Sequence, residues 1–403
     1  MRFLTVLCTI CTVLPVFAGP TLVPIGVSIE IYPGEKAGGH IVRLEDGAPR
    51  EDIVSLVTGL LAGKPGNLGI THEYDAVFSG FAGRFDALTL AALQITPGVA
   101  SITEDGIVRT TEIVTQRDAP WGLARLSSKS RLAGNADALD YAYHFDSKAG
   151  EGIDIYIIDT GIRTSHQDFG GRAEWSYPDS ESSAQQADGN GHGTHCAGTA
   201  AGGRYGVAKK AKIYAVKVLS DDGTGTTSDV IAGMNHVIGQ KKASGRPTVA
   251  SMSLGGLPNS AMDSAAEAMV RAGVHLVVAA GNSYSLAETS SPARVKAVIT
   301  VGASDIKDAR ATFSNFGPVV DVFAPGVDIT SAWNTADNGT AVLSGTSMAT
   351  PHIAGLVAYL LSLEGEDISP AAMSQRIKDL ALKGQLTGIP PLTANRLAYN
   401  GLS

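Results

Sequence analysis

Gly345-Thr346-Ser347-Met348-Ala349-Thr350-Pro351-His352 opens a run to Leu363 that is almost wholly apolar or small. A helix apolar on every side is a buried helix. Pro351 is tolerated in the first turn, where its missing N–H costs nothing. Ser347 is therefore expected at the N-terminus of a buried helix, beside unpaired backbone N–H groups and the positive dipole end. Such donors can hold an oxyanion. Gly345 keeps side chains out of the way of an incoming backbone. A serine at this position usually only caps its helix, so the remaining sequence must decide.

Before this stretch, short unbroken apolar runs alternate with helical segments. Ile153–Ile158, Ile213–Leu219, Val249–Leu254, Val274–Ala280 and Val298–Val301 read as strands; 193–201, 228–242 and 262–272 read as helices. That alternation predicts an α/β fold with a mostly parallel sheet covered on both faces. Its site belongs at the carboxyl ends of the strands. Asp159, Gly255 and Asn282 fall just past those ends.

Nearer the N-terminus the pattern differs. Residues 38–109 read β-α-β-β-α-β, with Asp86 capping the second helix, which is a ferredoxin-like α+β unit. The polar stretch Thr110–Asp118 lacks apolar periodicity and reads as a linker open to cleavage. Residues 1–18 carry Arg2, an apolar core and a small-residue end, the pattern of a secretory signal peptide. It is too short to span a membrane, and no other stretch is expected to span one. Its removal takes away Cys8 and Cys11, leaving Cys196 alone and no internal disulfide. Cys196 is read as a buried free thiol rather than a metal or redox group. The net charge of −8 argues against nucleic acid or an anionic membrane as partner. Asn338-Gly339-Thr340 is the one glycosylation sequon.

Three further stretches complete the chemistry. Ile158-Asp159-Thr160-Gly161 places a carboxylate at a strand end. Asp188-Gly189-Asn190-Gly191-His192-Gly193-Thr194-His195 opens a small-residue helix with a histidine. Ala279-Ala280-Gly281-Asn282 places an amide after another strand. Each has an ordinary reading, as a turn or cap residue. Together with Ser347 they supply nucleophile, base, orienter and oxyanion donor. His195 competes with His192 for the base; the flanking glycines favour His192. A dinucleotide-binding reading fails, because Gly191 and Gly193 are followed by Cys196 where a third glycine is needed.

The motifs around Asp159, His192 and Ser347, in that order, resemble those of the subtilisin-type serine peptidases. Ala119-Pro120-Trp121-Gly122-Leu123-Ala124-Arg125, Cys196 and the ending Asn395–Asn400 resemble the proteinase K branch. The resemblance implies a subtilisin-like three-layer sandwich over 114–403, preceded by a propeptide over 19–113 whose inhibitory unit spans 38–109. It implies a secreted, monomeric, broad-specificity endopeptidase made as a self-processing zymogen, with its own propeptide as inhibitor. Protein and peptide substrates would lie beside Ser253, Leu254, Gly255 and Gly256, with P1 side chains against Ala279, Ala280 and Gly281. No cofactor for catalysis is implied. A structural calcium ion is, held by the Asp321 carboxylate and the carbonyls of Lys296 and Val298. The acidic ligand of the family's second calcium site is replaced by Gln385.

Overall fold

The computed structural model describes residues 26–32, 36–107, 112–177, 186–364 and 368–402, in two compact units, 1–108 and 109–403. The expected signal segment, with Cys8 and Cys11, lies outside the described residues.

The first unit runs β1 (Ile29–Glu30), β2 (Lys36–Leu44), α1 (Arg50–Leu61), β3 (Gly69–Tyr74), β4 (Gly80–Arg84), α2 (Ala87–Ile95) and β5 (Val99–Gly106). The sheet order is β1-β5-β2-β4-β3, with β2 antiparallel to β4 and β5. This is the expected ferredoxin-like arrangement with one short added edge strand. Asp86 caps α2 by accepting from the Thr89 N–H. On α1, Ile53, Val57 and Leu61 turn into a core of Val42, Phe81, Leu93 and Ile102. Leu56 and Leu60, at the same helical spacing, stay exposed.

The second unit begins with β6 (Ile113–Ala119), α3 (Trp121–Leu126), β7 (Tyr141–Asp146), β8 (Asp154–Asp159) and β9 (Ala173–Tyr177). It continues through α4 (His192–Ala201), β10 (Lys212–Lys217), α5 (Thr227–Ser244), β11 (Thr248–Met252), α6 (Ser260–Arg271) and β12 (Val274–Ala279). It ends with β13 (Ile299–Ser304), β14 (Val322–Pro325), β15 (Ile329–Ala332), β16 (Thr340–Leu343), α7 (Thr346–Glu364), α8 (Pro370–Leu380), β17 (Leu382–Lys383) and β18 (Arg396–Leu397).

The central sheet has the order β17-β18-β14-β13-β12-β11-β8-β10-β9. It is parallel from β9 to β18, and only the β17–β18 pair is antiparallel. Side chains alternate across a strand, and both faces here are apolar. Ile155 and Ile157 of β8 pack into one core with α4 and α7. Tyr156 and Ile158 pack into another with α5 and α6. Helix, sheet and helix make the three layers.

Three expectations need correction. The stretch expected to be a linker is a strand from Ile113 onward, with Val114 opposite Phe145 of β7. A two-stranded ribbon needs no continuous apolar face, so its polar residues concealed it. Pro351 is not in the first turn of α7, which begins at Thr346. And α7 is long and apolar enough to cross a membrane by length and composition, yet 89 % of that window is buried inside the protein.

Candidate active site

Asp159 is the last residue of β8 and fully buried. His192 is the first residue of α4, and its Nδ1 lies 2.7 Å from Asp159 Oδ1. The local sequence forces this approach. Asp188 binds the start of α4 through the N–H groups of Gly191 and Thr194, at 2.7 and 2.9 Å. The Thr160 hydroxyl donates to Asp188 and accepts from the Gly193 N–H, so the strand end and the helix start are tied together. A Cβ on Gly193 would stand 2.1 Å from the Gly161 carbonyl oxygen, so only glycine lets α4 come this close.

Burial opposes protonation of His192, but the Asp159 carboxylate outweighs it and raises the imidazole well above its ordinary value. His195 goes the other way. It is fully buried, bonded through Nε2 to the Ile329 carbonyl at 2.9 Å, and its pKa falls to about 4. It is a neutral core histidine and does not reach Asp159.

Ser347 is the second residue of α7. Its hydroxyl donates to the Ser253 carbonyl at 3.2 Å. Pro351 has no N–H to give the Ser347 carbonyl, which would be its partner four residues back. Two side chains take that carbonyl instead: the Ser253 hydroxyl at 2.8 Å and the Cys196 thiol at 3.4 Å. Cys196 Sγ is also 4.0 Å from His192 Nδ1, so it bridges the two helix starts. Asp159, His192 and Cys196 present ligand-type atoms within 4.8 Å of one another. Burial pushes the Cys196 thiol up, so it stays protonated and makes a poor metal ligand.

Asn282 follows β12. Its Oδ1 accepts from the Thr346 N–H and hydroxyl, at 2.8 and 2.9 Å, which turns Nδ2 toward Gly345. A Cβ on Gly345 would lie 3.6 Å from both Asn282 Nδ2 and the Ser347 backbone N. Two N–H donors therefore face one small space, and glycine leaves it clear.

A cleft of about 480 Å³ is lined by His192, Ser253, Leu254, Gly255 and Gly256. Its opposite wall, Gly223 to Thr227, escaped the sequence reading; the glycine–threonine run 223–227 was its only trace. Ala279, Ala280 and Gly281 do not line this cleft. Ala280 is buried, and the Gly281 N–H donates to the Thr346 hydroxyl at 3.2 Å. Thr346 thus fixes both the Asn282 amide and the chain before it, a role no spacing rule revealed. Asn338 is exposed in the turn between β15 and β16.

Val298, buried, and Lys296, exposed, come just before β13, and Asp321 sits next to that strand, its N–H donating to the Thr300 carbonyl. Its Oδ2 accepts the Thr300 N–H at 3.0 Å, and its Oδ1 faces Lys378 Nζ at 3.4 Å. Calcium needs six to eight oxygen ligands. A carboxylate already held by an amide and an ammonium does not suit it.

Comparison with known proteins identifies the family. The subtilase family model matches residues 150–400, and the peptidase inhibitor I9 model matches 40–111. A cuticle-degrading protease of Metarhizium anisopliae is 45 % identical over 370 residues, 91 % of this chain and 90 % of that protein. The subtilisin-like serine protease AsES of Sarocladium strictum is 47 % identical, over 85 % and 84 % of the two chains. The crystal structure of a cold-adapted subtilisin-like serine proteinase superposes with a TM-score of 0.64 at 41 % identity, covering 70 % of this chain and 98 % of that one. With a parallel sheet carrying Asp159, His192 and Ser347 at its strand and helix ends, and an inhibitor-type domain before it, the chain belongs to the subtilase family of serine endopeptidases.

Proposed function

We propose that the protein is a secreted, broad-specificity endopeptidase that works through an acyl-enzyme at Ser347. His192 takes the Ser347 hydroxyl proton as the oxygen attacks the substrate carbonyl, then returns it to the departing amine. Asp159 holds the imidazole in the right tautomer and stabilises the imidazolium. The oxyanion is met by Asn282 Nδ2 and the Ser347 N–H. Water then attacks the ester with His192 again as base, releasing the acid and restoring Ser347. The side chains supply every role, so the proposal invokes no cofactor. The observation that carries it is the Asp159–His192 bond of 2.7 Å, with Cys196 Sγ 4.0 Å from that imidazole and 3.4 Å from the Ser347 carbonyl, at a helix start that faces the Asn282 amide.

The substrate adds as a strand along Ser253 to Gly256, so main-chain bonds supply affinity with little sequence demand. A preference for apolar or aromatic P1 residues is carried by the family resemblance alone, because Ala279, Ala280 and Gly281 do not line the cleft. Secretion rests on the signal-like residues 1–18, and a glycan at Asn338 suits its exposed turn. The monomeric state, and the lack of a nucleic-acid or membrane partner, rest on the acidic charge and the buried apolar helix.

The inhibitor-type domain is proposed to act as a tethered inhibitor, effective through its high local concentration, and to be removed by self-cleavage. Because pairing with β7 starts at Ile113, a cut at or just before Val114 is favoured over one later in β6. Expression of Ser347→Ala in a host lacking other secreted proteases should leave a precursor that still carries the domain. The native chain should appear near the size of 114–403 and label with a fluorophosphonate. Cleavage of Ser347→Ala at the same bond would assign maturation to another protease. Absence of labelling in the native chain would favour the alternative, a catalytically inert binding protein.

A further inference from the structure

Asp321 is the residue on which a family calcium ion was expected, and in this chain it is surrounded by the wrong charges. Its own N–H donates to the Thr300 carbonyl and its Oδ2 accepts the Thr300 N–H, so the backbone of β13 holds one side of it. Lys378, in the last turn of α8, places Nζ 3.4 Å from Oδ1. Arg396, in β18, donates from Nη1 to the Asp321 backbone carbonyl at 3.4 Å. The two basic residues come from different elements and converge on one residue, Lys378 at its carboxylate and Arg396 at its backbone carbonyl. That carboxylate is 18 % exposed and Lys378 23 %, so water screens the group only partly.

We infer that Lys378 and Arg396 take the place of a divalent cation at Asp321, and that this chain pins its C-terminal elements to β13 and β14 without calcium at that position. The Asp321 carboxylate, with Lys378 on Oδ1 and Arg396 on the same residue's backbone carbonyl, forms a group of net positive charge before any ion arrives. A calcium ion brought to the same oxygens would add two more positive charges against an ammonium that cannot leave without giving up its partner. Each of these oxygens also already accepts a hydrogen bond: Oδ2 from an amide, Oδ1 from the ammonium, and the backbone carbonyl from the guanidinium. The arrangement does the mechanical work of a metal clip. Lys378 ties α8 to Asp321 at the start of β14, and Arg396 ties β18 to the same residue, where β18 joins the sheet beside β14. A clip made of side chains cannot be chelated away.

The test uses the full chain carrying Ser347→Ala, which prevents self-digestion, and reads thermal unfolding rather than activity. The parent and its Asp321→Asn variant are each melted in a calcium chelator and in millimolar calcium. Calcium should move the two melting temperatures equally, because no ion sits on Asp321. A larger calcium shift in the parent than in Asp321→Asn would place the ion on that carboxylate and overturn the inference. A second variant, Lys378→Met with Arg396→Asn, is melted in chelator. It should unfold about 3–8 °C below the parent, as expected when a partly buried carboxylate loses its partners. A variant that melts with its parent in chelator would show that the two cations hold nothing, and the inference would fall on that result alone.

Discussion

Gly355→Ala tests whether the spacing of α4 and α7 sets the reacting distance. Gly355 lies eight residues past Ser347, and Ala200 lies eight past His192. At about 1.5 Å per residue the two positions are about 12 Å along their helices from the site. A Cβ on Gly355 would stand 2.4 Å from the Ala200 carbonyl oxygen and 2.8 Å from Val207 Cβ. Contacts under 3.0 Å are essentially never seen, so the helices must part there by about 0.6 Å. The obstruction is backbone, which has no rotamer to swing aside. Both helices begin at the site, so a share of the displacement reaches His192 and Ser347. A misplacement of about 1 Å can cost about 10²-fold; a smaller one here should lower kcat about 10-fold. Stability moves less, because overpacking costs about 1–3 kcal/mol while alanine regains about 1 kcal/mol over glycine in a helix. The assay is kcat and KM on a peptide substrate, with active sites titrated, beside the melting temperature. Gly239→Ala is the control: it is exposed in α5 with nothing within 4 Å of its added Cβ, and it should keep kcat. A Gly355→Ala enzyme within twofold of the parent in kcat would refute the spacing argument.

Two other outcomes follow from the charges. Because Asp159 raises His192 well above its ordinary value of about 6.5, the base form appears only at higher pH, and kcat/KM should rise along a limb centred above pH 6.5. Linkage runs opposite: a raised folded pKa stabilises fully below the unfolded value and is lost as pH climbs through the folded one. Ser347→Ala should therefore lose this contribution over the window in which the native rate grows, and Asp159→Asn should shift the limb toward acid while cutting the rate at least about 10²-fold. A native limb at or below pH 6.5 would contradict the pairing. Separately, Arg125 meets Asp308 through two bonds of 2.7 and 3.0 Å with both groups buried. Arg125→Ala strands a buried carboxylate and should cost about 3–5 kcal/mol in urea unfolding of the Ser347→Ala chain, part of it recovered by adding Asp308→Asn. A loss below about 1 kcal/mol would mean that the carboxylate finds water.

What the sequence made legible was whatever a short window determines. The β8 run from Ile153 to Ile158 is apolar at every position because alternate residues feed two different cores, and that signature does not depend on distant partners. Asp86 caps α2 within three residues, so its role is readable locally. What escaped is whatever depends on contacts far apart in the chain. Strand β6 looked like a linker because its stabilising partner, β7, lies about thirty residues on and asks no apolar face of it. The start of α7 was misjudged because the carbonyl that Pro351 orphans is rescued by Ser253 and Cys196, 94 and 151 residues away. The Lys378–Asp321 contact spans 57 residues and puts a side-chain cation where a metal ion was expected. In each case the local rule was sound and a distant side chain changed its outcome. Roles carried by long-range hydrogen bonds, Thr346 on Asn282 above all, are therefore the ones that a folded structure must supply.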